Sequence, residues 1–332
     1  MFGFRVSVFS LGLVASIISS WVATQSFAAI YGPDNRKEVE EVKGMEQVSS
    51  AIATMVGNIF IKKNPDGSLE ITDVKLAGKN LCGSGKSENP IIETPEAFLD
   101  QPSIGSCTGF LIAPRILVTA GHCYSNEGIN SSSAEYCKTF SWYFGYRQLN
   151  GKLPSFNQID PQQIGKCKRV IHAENLPSVD DKTDSTGRLL PSDKPDFAII
   201  ELENEIPGAI PIPISKRGLG KGTVVYTIGH PWGLPAKHSG QASVSSANHD
   251  FVFTVPLDSL GGNSGGPVLN TSKEVEGVLI SGHQFDSYLT TEGCHRINKC
   301  KFDGSSCRQG SKLFPLNQVM RMKFLEPYIN PL

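Results

Sequence analysis

"GSCTGFLIAPRILVTAGHC", residues 105–123, holds two apolar runs, Phe110–Ala113 and Ile116–Ala120, separated by Pro114 and Arg115 and followed by a small-residue turn carrying His122 and Cys123. Short runs of this kind bounded by turn residues read as a strand pair, a hairpin that delivers His122 at its end. The same punctuation recurs in "FSWYFGYR" from 140, "KRVIHA" from 168, "DFAIIEL" from 196, "TVVYTIGH" from 223, "FVFTVPL" from 251 and "GVLISG" from 277. Many short strands divided by Gly, Pro, Asn and Asp predict an all-β chain of antiparallel barrels or sandwiches. With 33 glycines and 21 prolines in 332 residues, the composition suits such turns.

Less of the remainder is decisive. "SSAIATMVGNIFI", residues 49–61, fits helix or strand, and 173–195 is polar and proline-bearing, as expected of a surface loop. In "PLNQVMRMKFLEPYI", Leu316, Val319, Met320, Phe324 and Leu325 recur at roughly helical spacing ahead of Pro327, predicting a C-terminal helix packed on a barrel.

Lys and Arg number 31 against 32 Asp and Glu, a balance with no basic excess of the kind that announces a nucleic-acid partner. Residues 1–28 read as a signal peptide: Arg5, the apolar stretch Val6–Ala23, then Ser26-Phe27-Ala28 with cleavage after Ala28. An uncleaved anchor is the alternative. Secretion, or export to a periplasm, without stable membrane association afterwards, is the expectation. Eight cysteines at 82, 107, 123, 137, 167, 294, 300 and 307 fit disulfides in an exported chain. Zinc held by Cys294, His295, Cys300 and Cys307 is a rival with unfamiliar spacing. Cys107 lies 16 positions before Cys123, and a bond between them would fix the hairpin end that carries His122. The other six cysteines allow 15 pairings.

"DSLGGNSGGPV", residues 258–268, surrounds Ser264 with Gly261, Gly262, Gly265 and Gly266. A serine hydroxyl becomes a nucleophile when a base takes its proton and donors await the charge on the attacked carbonyl oxygen. Glycines let backbone approach closely, so the amides of Gly262 and Ser264 are candidates for those donors. A glycine-rich turn with no chemistry is the plainer reading. His122 is the candidate base; His172, His230, His238, His249, His283 and His295 lack a comparable setting. Asp196, where a polar loop meets Phe197–Ile200, is the candidate acceptor for the second imidazole nitrogen, with Asp193 as alternate.

Taken in order, "GSCTGFLIAPRILVTAGHC", "DFAIIEL" and "GGNSGGPV" resemble the trypsin/chymotrypsin superfamily of serine peptidases, whose chain order is His, Asp, Ser. "SIGSCTG", "GGNSGGP" and "YGPDNRKEV" at 31–39 look like the bacterial glutamyl-endopeptidase-like branch. The likeness covers roughly residues 100–300 and that early piece. It implies two six-stranded antiparallel β-barrels with a cleft between them: an N-terminal segment 29–105, a first barrel 106–205 with His122 and Asp196, and a second barrel with C-terminal helix, 206–332, holding Ser264. It also implies an acyl-enzyme on Ser264, an oxyanion hole from Gly262 and Ser264, peptide or protein substrates, no cofactor or metal, and a monomer. Asn263 stands where zymogen-activated trypsin-like enzymes carry an aspartate that pairs with a freed N-terminus, so activation by that ion pair is not expected. Asp258, six before Ser264, aligns with the pocket-floor aspartate of trypsin-like enzymes and would favour Lys or Arg at the cleaved bond; a loop aspartate capping a turn is the alternative. Leu279 stands where glutamyl peptidases carry a histidine, with His283 four residues later, which puts glutamate preference in doubt. Ile280, Ser281 and Gly282, with His283, are expected to line the substrate strand and bond an extended peptide.

Two other classes fit parts of the chain. "GNSGG" also matches the nucleophile elbow of esterases and lipases, but that fold wants Ser, acid, His in order and alternating strands and helices. A protease-like domain without catalysis, used for binding, is the non-enzymatic reading.

Overall fold

The computed structural model describes residues 29–76, 81–83, 95–125, 132–175, 195–281, 286–291, 293–307 and 316–329. The first six long strands form a closed barrel. They are β1 (Ile52–Gly57), β2 (Thr108–Ala113), β3 (Ile116–Thr119), β4 (Phe140–Phe144), β5 (Ile164–Asn175) and β6 (Asp196–Leu202). Their order around the barrel is β4-β5-β6-β3-β2-β1, and β1 closes antiparallel on β4. Trp142 fills the interior with no exposed surface. Gly109 on β2 makes room for it, since a Cβ there would lie 2.7 Å from the indole ring. β1 settles the ambiguous stretch 49–61 as strand over 52–57, and it draws the start of the barrel back from residue 106 into the segment expected only to lead up to it.

The second body is an eight-stranded sheet built on β7 (Val224–Gly229), β8 (Lys237–His238), β9 (Val252–Val255), β10 (Pro267–Asn270), β11 (Val275–Ser281) and β12 (Asn317–Arg321). Its path runs β9-β12-β11-β10-β7-β8 and ends on the short strand Lys37–Glu38, while Ala242–Ser243 pairs with β7. The chain is therefore all-β and chymotrypsin-like, with the first barrel closed; the pairings among the described residues do not close the second.

The start of the described chain belongs to this second body. Ile30 and Tyr31 pair in parallel with Lys299 and Cys300, and Lys37 and Glu38 pair with β8. Lys237 Nζ lies 3.0 Å from Glu38, with both side chains buried. Burying two charges costs desolvation that only close pairing and further hydrogen bonds repay, and Gln101 adds one at 2.6 Å to the same carboxylate.

The tail departs from expectation. Residues 317–321 are strand β12, lying between β9 and β11, and among the described residues of the tail helix is confined to the 3-10 turn Met322–Phe324 and the short α-helix Glu326–Ile329. Val319 and Met320 are both fully buried, Val319 against the cluster of Phe253 and Leu279, Met320 in the main core. A strand buried on both faces gives an apolar run that periodicity cannot separate from a helix.

All four disulfides are formed: Cys82–Cys294, Cys107–Cys123, Cys137–Cys167 and Cys300–Cys307. Cysteines 294, 300 and 307 are thus bonded and offer no thiolate to zinc. Residues 1–28, Asp193 and most of the loop expected at 173–195 lie outside the described residues, although 173–175 continue β5. Among the described residues no helix is long and apolar enough to cross a membrane.

Candidate active site

β3 ends at Thr119, and the chain turns directly into the short helix Gly121–Ser125. Gly121 permits this: a Cβ there would collide with the carbonyl of Glu174 on β5 and lie 2.9 Å from the amide nitrogen of Phe197 on β6. The close approach sets His122 beside Asp196, the first residue of β6. Asp196 holds it at two points, accepting the His122 amide on Oδ1 at 2.9 Å and facing Nδ1 with Oδ2 at 2.8 Å. Nδ1 is thereby committed to the carboxylate, which leaves Nε2 as the nitrogen available for proton exchange. The His122 and Asp196 side chains are 20% and 19% exposed, so both are shielded without being sealed. Burial opposes the imidazolium, but the Asp196 charge and hydrogen bond outweigh it, and the pKa of His122 is raised.

Ser264 lies in the turn between residues 258 and 267, with 9% of its surface exposed. Gly262 and Gly265 adopt φ of +93° and +85°, the left-handed region where a Cβ is penalised. At Gly265 a Cβ would also strike Thr119 Oγ1 and the Thr108 carbonyl, so the turn presses against the hairpin that carries His122. Main-chain bonds lock that seat: Thr108 N donates to Ser264 O at 2.8 Å, and Gly265 N to Leu279 O at 2.7 Å. Thr108 Oγ1 donates to Gly262 O at 2.7 Å. The Cys107–Cys123 bridge completes the connection, with Cys123 Sγ lying 3.7 Å from Ser264 O. Among the described residues the amides of Gly262 and Ser264 have no acceptor, so the turn keeps two unpaired backbone donors.

The other expected residues fall differently. Asp258 is buried, 4% exposed, and its oxygens accept the amides of Tyr31 and Asn35, each at 2.8 Å. Burial is the larger influence and pushes its pKa up to about 6, against the pull of those two hydrogen bonds. Both oxygens accept amides of this chain's own N-terminal segment, so Asp258 clamps a distant segment, which is neither the turn cap nor the open carboxylate for Lys or Arg that the sequence offers as alternatives. Leu279 is buried in the second core, packed with Val225, Phe253 and Val319. Ile280 is buried at the end of β11, and Ser281 pairs through its backbone with Gln318. Gly282 and His283 lie outside the described residues.

Asn263 is buried, and among the described residues its Oδ1 has no hydrogen-bond partner. Nothing in the sequence marks Thr108, which joins the two bodies at Ser264, or Trp232; Asp286, which the sequence offers only as an acid for the rival esterase order, meets the Trp232 indole behind the glycine turn at 2.5 Å. A glycine beside an unremarkable threonine carries no signal of such a contact.

His122, Cys107 and Cys123 place one nitrogen and two sulfurs within 4.8 Å of one another, but both sulfurs are spent in the disulfide and do not act as metal ligands.

The class of protein follows from comparison with a known family: a peptidase of the serine class. A family model for the trypsin-like peptidase domain matches residues 107–278, and the chain belongs to that family. Comparison with curated proteins gives no match. Among solved structures, a Glu endopeptidase in complex with MPD is 16% identical, covering 91% of this chain and 98% of its own, with a TM-score of 0.45. The serine endoprotease from Yersinia pestis is 15% identical over 71% of this chain and 61% of its own, with a TM-score of 0.39.

Proposed function

We propose that this chain is an exported serine endopeptidase acting through His122, Asp196 and Ser264. His122 takes the Ser264 proton as the hydroxyl oxygen attacks the peptide carbonyl, then returns it to the leaving amine. Water deacylates the ester by the same base. Asp196 keeps the Nδ1 proton in place and stabilises the imidazolium. The amides of Gly262 and Ser264 receive the negative charge on the carbonyl oxygen. The observation that carries this reading is the two-point hold of Asp196 on His122, which leaves Nε2 as the base nitrogen. Four disulfides accord with export. With Asp258 occupied by Tyr31 and Asn35, preference for Lys or Arg loses its charge anchor, and selection falls to other groups along the substrate strand.

A serine-directed fluorophosphonate tests the proposal. Labelling of the folded protein that disappears in Ser264→Ala supports it, together with cleavage of a denatured protein mixture. Absence of labelling on folded wild-type protein would overturn it and support the reading of a protease-like binding domain instead.

A further inference from the structure

Asn263 cannot form the aspartate ion pair that rigidifies the glycine turn in zymogen-activated relatives, so the turn needs another brace. One is present on its far side. Trp232 adopts φ +52° and ψ +30°, a left-handed conformation for a bulky residue. Such a conformation persists where the surroundings over-determine it. The surroundings do so at three points: its amide donates to the Gly261 carbonyl, its carbonyl accepts Ser103 Oγ at 2.6 Å, and its indole Nε1 donates to Asp286 Oδ2 at 2.5 Å. The ring packs on Ile30, Leu260 and Ile297, the wall behind the turn. Gly261 is drawn in from its other side too, because its amide faces the Asp286 carboxylate; burial is the larger influence there and raises the Asp286 pKa, against the pull of the Trp232 and Gly261 hydrogen bonds.

The geometry of one peptide group gives this brace its meaning. No cis bond occurs in the described chain, so the Gly261 carbonyl and the Gly262 N–H point in opposite directions across one rigid plane. Anchoring the carbonyl to Trp232 N therefore fixes the direction of the Gly262 N–H, which has no acceptor among the described residues. Rotation of that plane would withdraw the donor.

We infer that Trp232 and Asp286 are positioning residues that hold the Gly261–Gly262 peptide in its oxyanion-binding orientation. The inference rests on the reading of Ser264 as nucleophile. Neither side chain touches substrate; each acts through the peptide plane.

The test compares Asp286→Ala, Asp286→Asn and Trp232→Phe with wild type, using turnover of a peptide ester, affinity for a peptide boronic acid, and the rate of Ser264 fluorophosphonate labelling. Asp286→Ala and Trp232→Phe are expected to lower kcat by about 10- to 100-fold, short of full loss of a donor, with KM changed less than about threefold. Boronate affinity and labelling rate should fall by a similar factor, and the double variant should lose little more than either single one. Asp286→Asn, which keeps an acceptor for the indole, should recover most of the activity. Should Asp286→Ala fail to fold, Trp232→Phe and Asp286→Asn carry the comparison. Folded Asp286→Ala or Trp232→Phe protein with wild-type kcat and boronate affinity, or with a loss confined to KM, would overturn the inference. If wild-type protein itself is not labelled at Ser264, the proposed function falls first, and the two failures are told apart by that control.

Discussion

The carboxylate of Asp258 accepts the main-chain amide of Tyr31 across 227 residues of sequence, and takes that of Asn35 on its other oxygen. This pins the start of the described chain to the strand of sequence that leads into Ser264. Ser259 N adds a bond to Ala29 O at 3.3 Å, and Ile30 N one to Asn298 O at 3.0 Å. Ala29, Ile30 and Tyr31 are consequently without exposed surface. An aspartate six residues before a nucleophile thus serves the N-terminal segment.

That clamp predicts a stability signature. Folding raises the pKa of Asp258 from 3.8 to about 6, chiefly by burial. Between those values the folded state binds more protons than the unfolded one, so this group's contribution to stability falls as pH rises from about 4 to about 6. A shift of this size corresponds to roughly 3 kcal/mol. Asp258→Asn does not titrate and offers one acceptor for two amides. The stability difference between wild type and this variant should therefore move in favour of wild type by up to about 3 kcal/mol between pH 7 and pH 4. Urea unfolding midpoints at several pH values measure it; parallel curves would show that Asp258 does not titrate in this range.

The pairing of His122 with Asp196 predicts a pH profile for activity. Catalysis by the proposed mechanism needs a neutral imidazole, so kcat/KM should climb with pH through the pKa of His122. Burial opposes it, but the Asp196 charge and hydrogen bond raise that pKa on balance, which moves the acid limb of wild type to higher pH than an unpaired imidazole would give. Asp196→Asn removes both raising influences and leaves burial, which lowers it. The limb should move to lower pH while the plateau falls by about 10⁴-fold, the loss seen when a triad aspartate is amidated. Profiles of kcat/KM from pH 5 to 9 decide the matter, and a limb that stays in place would remove Asp196 from the role of orienter.

What could be read beforehand followed the range of the interactions. The hairpin before His122 and the strand after Asp196 announce themselves through local runs of Leu, Ile and Val, and β3 and β6 then pair directly, Ala198 opposite Thr119. Cys107 and Cys123 stand at the hairpin's two ends, 16 positions apart, and are bonded. Three features left no local trace. The Asp258 clamp joins segments more than two hundred residues apart, and any aspartate near a glycine turn looks alike in sequence. Strand β12 is buried on both faces, so Val319 and Met320 lack the alternation that marks a half-exposed strand. Trp232 follows Pro231 and precedes Gly233, a combination that signals a turn without showing that the tryptophan itself takes the left-handed conformation.

The seat of Ser264 yields the sharpest contrast between two glycines. At Gly265 an added methyl group would meet Thr119 Oγ1 and the Thr108 carbonyl, in a backbone with φ of +85°. The left-handed conformation costs an alanine about 1–2 kcal/mol, and forcing a methyl into packed backbone costs typically 1–3 kcal/mol more. Gly265→Ala should therefore lose roughly 3 kcal/mol of stability, and because relief requires the turn to lift away from Thr108, labelling of Ser264 should slow at least tenfold in the protein that remains folded. Gly218 is exposed, with nothing within 4 Å of a built Cβ and no left-handed φ. Gly218→Ala should change stability by less than about 0.5 kcal/mol and leave labelling untouched. Thermal unfolding and labelling kinetics on both variants check the pair. Equal behaviour would mean that the close approach of Gly265 to the Thr108–Thr119 hairpin does not hold the nucleophile in place.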